Sequence, residues 1–312
     1  MCDKNIAFTS VQSKQQIRKW TSILTFVKVL VIPLKDTNNT RTPMAKHRVT
    51  VEIVDNIAHV QLNRADKLNA LDMPMFIAID KTIRALRKNR AIRAVIVSGN
   101  GDDFCSGLDV KSIMKSPMSM LKLLFKGLPW RANLAQRIST SWQDIPAPVI
   151  CAIHGRCWGG GLQIALGADF RFATPDASLS IMEGKWGLIP DMGGTIALRD
   201  IIAIDQAKKL AMTAEEFSGK QALALNLVTE ITDTPLVDAQ AFALSLIKQS
   251  PDAIAASKKL YNKSWQGSRG WALFRESYYQ IKILIGKNVH RKIYNQTHAN
   301  EQQKQFLPRK KW

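Results

Sequence analysis

The chain has 312 residues, of which 46% are hydrophobic and 22% are charged, and its formal net charge is +19. This length and apolar content suffice for one large domain or two smaller ones, and they argue against a chain that is disordered throughout. The positive charge is concentrated at the ends: residues 1–43 hold seven Lys/Arg against two Asp, and residues 281–312 hold eight against one Glu. Basic ends can attract polyanions, but we expect these charges to be solvated tails.

The first 43 residues differ in composition from the remainder. The stretch Trp20–Leu34 is apolar, but a lysine and a proline interrupt it, so we do not expect it to span a membrane. The segment is basic and poor in acidic residues, as transit peptides are. Translation begins either at Met1, with an extension that is disordered or transit-like, or at Met44, which we favour. The corresponding locations are the mitochondrial matrix for a transit peptide and otherwise the cytoplasm, as for a bacterial protein.

The cysteines are Cys2, Cys105, Cys151 and Cys157. They form no Cys-x-x-Cys pair, no histidine stands at metal-ligand spacing from them, and three lie in apolar strand or turn patterns. We therefore expect free thiols in a reducing compartment and no metal site.

Hydrophobic periodicity predicts strands and helices in alternation, followed by helices alone. Strands are predicted at residues 49–53, 57–62, 94–98, 149–153, 169–173 and 178–181, the first two as a hairpin. Helices are predicted at residues 73–89, at 111–141 with breaks near Pro117 and Pro129, at 160–167, and from Thr195 onward with breaks at Pro235 and Pro251. This order indicates an α/β fold with a helical appendage.

Two segments carry the strongest chemical signal. Phe104–Lys111 and His154–Gln163 each follow an apolar strand, contain glycines and lead into a predicted helix. The first N–H groups of a helix have no partner inside it. Two such groups aimed at one point form a site for an anion or an oxyanion, which an enzyme that builds an enolate requires.

Short motifs in a fixed order make the chain resemble the crotonase (enoyl-CoA hydratase/isomerase) superfamily. They are Leu62-Asn63-Arg64, Lys67–Leu71, Phe104–Asp109, Gly159-Gly160-Gly161, and Trp186–Pro190 followed by Gly193-Gly194-Thr195. The resemblance implies a crotonase-like core of ββα turns wound into a spiral, a C-terminal helical region, and assembly into a homotrimer or homohexamer. We divide the chain accordingly into an N-terminal extension (1–43), the core (44–200), a helical trimerisation region (201–290) and a basic tail (291–312).

The resemblance also assigns the oxyanion donors, which are the backbone N–H groups of Leu108 and Gly160. The thioester carbonyl of an acyl-CoA would lie between them. Gly107 permits the turn, and the glycines at 159 and 161 let a ligand approach the backbone closely. The alternative is that these glycines only allow close packing of helix on strand.

Further residues are assigned to the substrate by the same resemblance. Lys67 and Lys111 suit the phosphates of coenzyme A, although single lysines on loops are often only solvated. The residues expected to contact coenzyme A or substrate are Lys67, Ser106, Gly107, Asp109, Lys111, Gly159, Gly161 and Gln163. Coenzyme A enters as part of the substrate, and we expect no permanently bound cofactor.

An apolar, methionine-rich stretch follows the first loop. The expected acyl-pocket residues are Met114, Met118, Leu121, Phe125, Trp130 and, further along, Trp186. This length of apolar chain favours a medium or long acyl group, whereas core packing alone would give the same composition.

The acid–base residues decide the reaction. Hydratases of the family carry two glutamates, and the second corresponds to Glu183, four residues before Gly187. The first position holds Gln163, which cannot exchange a proton at neutral pH but could bind a water or the thioester. Water addition by two glutamates is therefore not expected.

Asp191 lies eight residues after Glu183. Dienoyl-CoA isomerases of the family place an Asp at this spacing, and their two carboxylates remove and return a proton at opposite ends of a conjugated system. Two acids in an apolar pocket have raised or split pKa values, which suits such a relay. Those isomerases carry an Asp where Gln163 stands, and Asp191 could instead be a turn residue or a helix cap.

These residues predict a double-bond isomerase acting on an enoyl- or dienoyl-CoA, with Glu183 and Asp191 as catalytic groups. The first alternative is an enoyl-CoA hydratase in which Glu183 works alone; thioester hydrolysis is another family reaction. The alternative from a different class is a non-catalytic or RNA-binding member that uses the basic surface. The intact oxyanion pair together with Glu183 argues against it, so we do not expect a nucleic-acid partner.

Overall fold

The computed structural model of the protein describes residues 47–312, so the expectations for residues 1–43 lie outside the described residues. The strands are β1 (Val49–Val54), β2 (Ile57–Leu62), β3 (Ala94–Gly99), β4 (Val149–Ile153), β5 (Arg156–Trp158), β6 (Phe170–Ala173), β7 (Ser178–Ser180), β8 (Phe217–Ser218) and β9 (Glu230–Ile231). The helices of the core are α1 (Met73–Lys88), α2 (Val110–Met114), α3 (Pro117–Leu124), α4 (Leu134–Thr140), α5 (Gly160–Leu166) and α6 (Gly194–Ile201). The C-terminal helices are α7 (Ile204–Thr213), α8 (Gly219–Ala224), α9 (Pro235–Leu246), α10 (Pro251–Ser264), α11 (Arg269–Leu284) and α12 (Lys287–Thr297).

The predicted elements are confirmed apart from details of their ends. β1 and β2 form the expected antiparallel hairpin, and Asp72 caps α1 by accepting a hydrogen bond from the Met75 N–H. Pro117, Pro235 and Pro251 each stand in the first turn of a helix, where the missing N–H costs nothing. The strands β5, of three residues, and β8 and β9, of two residues each, were not predicted.

Two sheets make up the β structure. The larger has the order β1-β2-β3-β4-β6-β9 and is parallel except for the β1–β2 pair. The smaller has the order β5-β7-β8, and β5 follows β4 almost directly in the chain. The chain thus passes repeatedly from one sheet to the other with helices between, so the predicted α/β architecture is confirmed.

The central strands β3 and β4 are buried on both faces because helices cover both sides of the sheet. Val95 and Val97 face the main core, which includes the apolar side chains of α1. Ile96 and Ile150 face the other way and pack in a second cluster with alanines of α9. This double burial explains why both strands are continuous apolar runs rather than alternating ones.

Because β3 and β4 are parallel, the two motif-bearing loops leave the sheet at the same edge. The loops then pair with each other: the Cys105 N–H donates to the Arg156 carbonyl (2.9 Å) and the Trp158 N–H donates to the Cys105 carbonyl (3.0 Å). Cys105 and Cys157 form an isolated parallel bridge at this point. The topology therefore brings the two segments singled out in the sequence side by side.

A buried ion pair attaches the C-terminal helices to the core. Lys258 of α10 places its Nζ 2.6 Å from the Asp169 carboxylate and donates to the carbonyls of Trp142 and Ala147, both at 3.0 Å. Burial lowers the pKa of Lys258, and the charge of Asp169 opposes that shift. All three N–H donors of the ammonium group are used, which buried lysines require.

The C-terminal end is not a free tail, although Lys304 and Lys311 are exposed as expected. Arg309 is only 2% exposed, and its backbone N–H donates to the Arg90 carbonyl. The Asp252 carboxylate accepts hydrogen bonds from the Lys310 N–H (2.6 Å) and from the Trp312 indole (3.2 Å). In addition, α12 continues past residue 291, where we predicted the tail to begin. Within residues 47–312, no helix is long and apolar enough to cross a bilayer.

Candidate active site

The first loop, Phe104–Lys111 after β3, lies directly against the second loop, His154–Gln163 after β4. Because the first loop carries the Leu108 N–H, it is called the oxyanion loop after its predicted role. Gly107 has a φ of +88°, and a Cβ at this position would lie 2.7 Å from the Trp158 carbonyl oxygen and 3.4 Å from the Gly160 nitrogen. Any residue other than glycine would be strained here, both by these contacts and by the positive φ. Gly107 is thus required for the close approach of the two loops.

Two backbone N–H groups are free at this junction. Leu108 bridges to Leu71, but the hydrogen bonds of that bridge are made by the neighbouring Gly107 carbonyl and Asp109 N–H, so the Leu108 N–H points away. Gly160 is the first residue of α5 and has no acceptor within the helix. Within residues 47–312 neither N–H has a protein acceptor, and both are available to a ligand oxygen. Their role as an oxyanion pair stays a prediction.

Asp109 braces the oxyanion loop from behind. Its carboxylate accepts a hydrogen bond from Arg64 (2.8 Å) and one from the Ser112 N–H (3.0 Å), so it also caps α2. Partial burial would raise the pKa of Asp109, but these hydrogen bonds lower it overall. Both carboxylate oxygens of Asp109 are used within the protein, and its contact with the substrate stays a prediction.

Asn69 ties three loops together and was not identified as important in its own right. It is fully buried; its Oδ1 accepts from the Arg64 N–H (2.8 Å), and its Nδ2 donates to the carbonyls of Asn100 (3.0 Å) and Asp103 (2.7 Å). The Asp103 carboxylate in turn accepts from the Arg156 N–H of the second loop (2.8 Å). The indication available in the sequence was that this amide residue lies within the motif Lys67–Leu71.

Gln163 joins the two segments that carry the candidate acids. Its Nε2 donates to Glu183 Oε1 (2.6 Å), and its Oε1 accepts from the N–H groups of Met192 (3.0 Å) and Gly194 (2.9 Å). The side chain is 3% exposed. Both ends of the Gln163 amide are thus engaged inside the protein, and its contact with water or substrate stays a prediction.

Glu183 lies in a 3₁₀ turn, Met182–Trp186, against the second loop. Its Oε1 would lie 3.3 Å from a Cβ at Gly159, and its Oε2 is buried with no hydrogen-bond partner among the described residues. Burial raises the pKa of Glu183; the hydrogen bonds from its own N–H and from Gln163 oppose the rise, and the charge of Asp191 adds to it. An unpaired, desolvated carboxylate oxygen is what a general base requires.

Asp191 lies between that turn and α6. The residue as a whole is exposed, yet partial burial of its carboxyl group raises its pKa, with its own backbone N–H opposing. It does not cap α6, since the N-cap is Gly193 and no side chain bonds there. The alternative of a helix cap is thus excluded, whereas Asp191 does stand in the turn that precedes α6. The charge of Asp191 nevertheless raises the pKa of Glu183, so the two acids lie close together.

A family model described as enoyl-CoA hydratase/isomerase matches residues 52–306. The chain belongs to the enoyl-CoA hydratase/isomerase family. The crotonase-type fold expected from the motifs is therefore confirmed.

Known proteins similar to this family member differ in their assigned reactions. A peroxisomal Delta(3,5)-Delta(2,4)-dienoyl-CoA isomerase of Arabidopsis thaliana is 33% identical over 192 residues, which is 58% of this chain and 69% of that protein. YngF of Bacillus subtilis (strain 168), provisionally assigned as an enoyl-CoA hydratase/isomerase, is 31% identical over 72% of this chain and 86% of its own. The crystal structure of an enoyl-CoA hydratase from Bacillus anthracis has a TM-score of 0.75 at 22% identity, covering 83% of this chain and 98% of that one, which concerns the fold alone.

The remaining substrate-binding predictions for this family member have mixed outcomes. Lys67 and Lys111 are exposed, so a phosphate can reach them. Ser106 is partly buried, and its backbone N–H donates to the Leu68 carbonyl. The contacts of these three residues with the substrate stay predictions. Gly161 is different: a Cβ there would lie 2.5 Å from the Cys105 carbonyl oxygen. It therefore serves the packing of the two loops, as in the alternative interpretation, rather than a ligand.

The predicted acyl-pocket residues do not enclose a pocket in one chain. Each is at least 59% exposed: Met114, Met118, Leu121, Phe125, Trp130 and Trp186. The core-packing alternative does not hold for them either, because Ile113 and Leu123 are the residues of α2 and α3 that are buried. All six side chains are exposed, and their contact with an acyl chain stays a prediction.

A hydrogen-bonded chain of side chains behind the second loop was missed in the sequence. The Trp158 indole donates to Ser178 Oγ (2.9 Å), which donates to Glu216 (3.1 Å), and Glu216 also pairs with Lys185 (3.1 Å). Glu216 immediately precedes the unpredicted strand β8. This chain links the loop that carries Gly160 to the turn that carries Glu183.

Proposed function

We propose that the protein isomerises a double bond of an enoyl- or dienoyl-CoA through an enolate. The observation that carries this proposal is the carboxylate of Glu183. One of its oxygens is held by an amide, and the other is buried and unpartnered beside the second oxyanion loop. Family membership supports acyl-CoA thioesters as the class of substrate.

In the proposed reaction the thioester oxygen accepts hydrogen bonds from the Leu108 and Gly160 N–H groups. Glu183 Oε2 takes a proton from the carbon alpha or gamma to the thioester, and the electrons of that C–H bond move into the conjugated enolate. Fixed backbone donors stabilise the negative charge by about 3 kcal/mol each. Return of a proton to a different carbon moves the double bond and leaves the composition of the substrate unchanged.

Asp191 supplies the proton at the far end when the substrate is a conjugated diene. Burial raises the pKa values of both carboxyl groups, and the charge of Asp191 raises that of Glu183 further, so one of the pair can hold a proton while the other is ionised. The similarity to a dienoyl-CoA isomerase of Arabidopsis thaliana supports this finer assignment.

Hydration is the competing reaction, and the amide at residue 163 disfavours it. Adding water requires one group to deprotonate the water and another to protonate the enolate carbon. Gln163 can do neither, and its position is taken up by internal hydrogen bonds. Glu183 would have to perform both steps alone.

We further propose that coenzyme A enters only as part of the substrate and that the working form is a homotrimer or homohexamer. Exposed aromatic side chains on α11, namely Trp271, Phe274 and Tyr278, support self-association. The location stays open between the cytoplasm and the mitochondrial matrix.

The experiment offers the purified protein a 2-enoyl-CoA and a 3,5-dienoyl-CoA and identifies the products by mass and absorbance. We expect a mass-neutral shift on the dienoyl substrate, lost in Glu183→Gln and greatly reduced in Asp191→Asn. A gain of one water on the 2-enoyl substrate, unchanged in Asp191→Asn, would instead establish a hydratase and remove the role of Asp191.

A further inference from the structure

The orientation of the Gln163 amide is determined by its neighbours. Two backbone N–H groups, from Met192 and Gly194, point at one end of the amide, so that end must be the oxygen. The NH₂ end then faces Glu183 and donates at 2.6 Å. If the amide were flipped, its NH₂ group would face the N–H groups of Met192 and Gly194. Its oxygen would then face the Glu183 carboxylate, and neither end could form a hydrogen bond.

The surroundings are shaped to this amide. A Cβ at Gly194 would lie 2.9 Å from Gln163 Oε1 and 3.1 Å from its Cγ, so a glycine is needed for the backbone to approach the amide so closely. Gln163 itself lies in the first turn of α5 and is buried. The interaction is therefore built by three separate segments and is not a chance contact of a mobile side chain.

From this geometry we propose that Gln163 is a positioning residue that selects the reacting oxygen of Glu183. By holding Oε1 it leaves Oε2 as the base, and by holding the N–H groups of Met192 and Gly194 it fixes the segment that carries Asp191 relative to Glu183. The inference rests on the isomerisation proposed above, to which it adds the control of both carboxylates by one amide.

The chemical identity of residue 163 then matters as much as its size. A neutral donor favours the ionised form of Glu183 and so lowers its pKa, against the effects of burial and of Asp191. A carboxylate in the same place would share one proton with Glu183 at low pH and repel it once that proton is lost. An apolar residue would leave both Glu183 Oε1 and two backbone N–H groups unpaired.

The test compares the pH dependence of kcat for the wild type, Gln163→Glu and Gln163→Met on a dienoyl-CoA. We expect kcat of the wild type to rise with the ionisation of Glu183 and to fall again at higher pH, where Asp191 loses the proton that it must supply. Gln163→Glu should be active at low pH, where the shared proton imitates the amide donor, and should lose at least about tenfold in kcat as that proton is removed. Gln163→Met should lose about tenfold or more at every pH with KM within about twofold, and its acid limb should move to higher pH.

The matched control is Gln221→Glu, the same chemical change at an exposed capping glutamine of α8, which should leave the profile unchanged. A Gln163→Glu profile that parallels the wild type at all pH values would overturn the positioning role, as would an equal loss of kcat at all pH values.

A measurement without substrate separates this inference from the proposed function. The infrared carbonyl band that is present at low pH in the wild type and absent in Glu183→Gln reports the protonated Glu183 carboxyl. We expect the pH at which this band disappears to rise in Gln163→Met. If the band moves but no substrate is isomerised, the positioning role stands and the reaction is wrong; if isomerisation occurs and the band does not move, the positioning role fails.

Discussion

At the scale of single residues, the functional groups divide into those that sequence patterns reveal and those that depend on contacts. Leu108, Gly160 and Glu183 were singled out because their motifs have a fixed spacing. Among residues 47–312, the Leu108 and Gly160 N–H groups and Glu183 Oε2 have no hydrogen-bond partner. The role of Gln163 could not be found in this way. Its function depends on which groups lie at each end of the amide, and those come from segments about twenty to thirty residues away in the chain.

Glu183→Gln should separate activity from stability. Loss of the base should reduce kcat by at least about a hundredfold. The folded-state pKa of Glu183 is raised, so its ionisation costs stability as the pH rises from the unfolded-state pKa through the folded one. At neutral pH the neutral variant should therefore have an equal or higher melting temperature, measured by calorimetry. A melting temperature several degrees lower would show that the carboxylate stabilises the fold instead.

The same raised pKa predicts the pH profile of the wild type. The acid limb of kcat/KM should lie above the ordinary glutamate pKa of about 4.3, because the ionised form of Glu183 is disfavoured by burial in the free protein. Steady-state rates between pH 4 and 8 would measure it. If the apparent pKa of the acid limb were equal to or below the ordinary glutamate pKa, the base would be a different group or a fully solvated one.

At the scale of elements, the periodicity of the sequence predicted most strands and helices because buried faces repeat every two or every 3.6 residues. The strands β5, β8 and β9 were missed because two or three residues are too few to show a period. Because β8 was not predicted, the contact between Glu216 and Ser178 near the second loop was not predicted either. The close packing of Gly161 on Cys105 could not be predicted either. A run of glycines indicates that another group can come close to the backbone, but it does not tell whether that group is a ligand or another part of the protein.

The pairing of the two loops predicts a strong effect for Gly107→Ala. The added Cβ would meet the Trp158 carbonyl oxygen at 2.7 Å with a φ of +88°, so the loops must separate. We expect a loss of about 1–3 kcal/mol in the free energy of unfolding, and a fall in kcat because the oxyanion donors no longer converge. Denaturant titration and steady-state rates would measure the two effects.

The matched control is Gly270→Ala in α11, where an added Cβ meets nothing within 4 Å. It should leave both stability and activity essentially unchanged. If Gly107→Ala behaved like this control, the two loops would not be held as closely as the structure describes.

At the scale of the whole molecule, motif order predicted the architecture, whereas the arrangement of the C-terminal end could not be read from charge. A basic tail suggested solvation, but its arginine and tryptophan side chains cover apolar surface while their polar groups reach Asp252 and backbone carbonyls. The attachment of α10 through Lys258 was equally hidden, since its partners Asp169, Trp142 and Ala147 lie far away in the chain.

That attachment predicts a large effect of Lys258→Met on stability. The change leaves the Asp169 carboxylate without its counter-charge and two carbonyls without donors, which should cost about 3–5 kcal/mol in the free energy of unfolding. Lys263→Met, an exposed lysine on the same helix, is the control and should change stability by less than about 0.5 kcal/mol. Similar values for the two variants would mean that the buried pair does not hold the helical region to the core.

The account depends most directly on the claim that the reaction moves a double bond without adding water. The decisive measurement is the mass and the absorbance of the products formed from a 3,5-dienoyl-CoA and from a 2-enoyl-CoA in water enriched in oxygen-18. We predict a 2,4-dienoyl product, recognised by its absorbance, that contains no heavy oxygen and whose mass differs from that of the substrate only by exchange of hydrogen with solvent. We predict no hydrated product from the 2-enoyl substrate. A product that carries one oxygen-18 on the acyl chain would contradict the account and identify the protein as a hydratase.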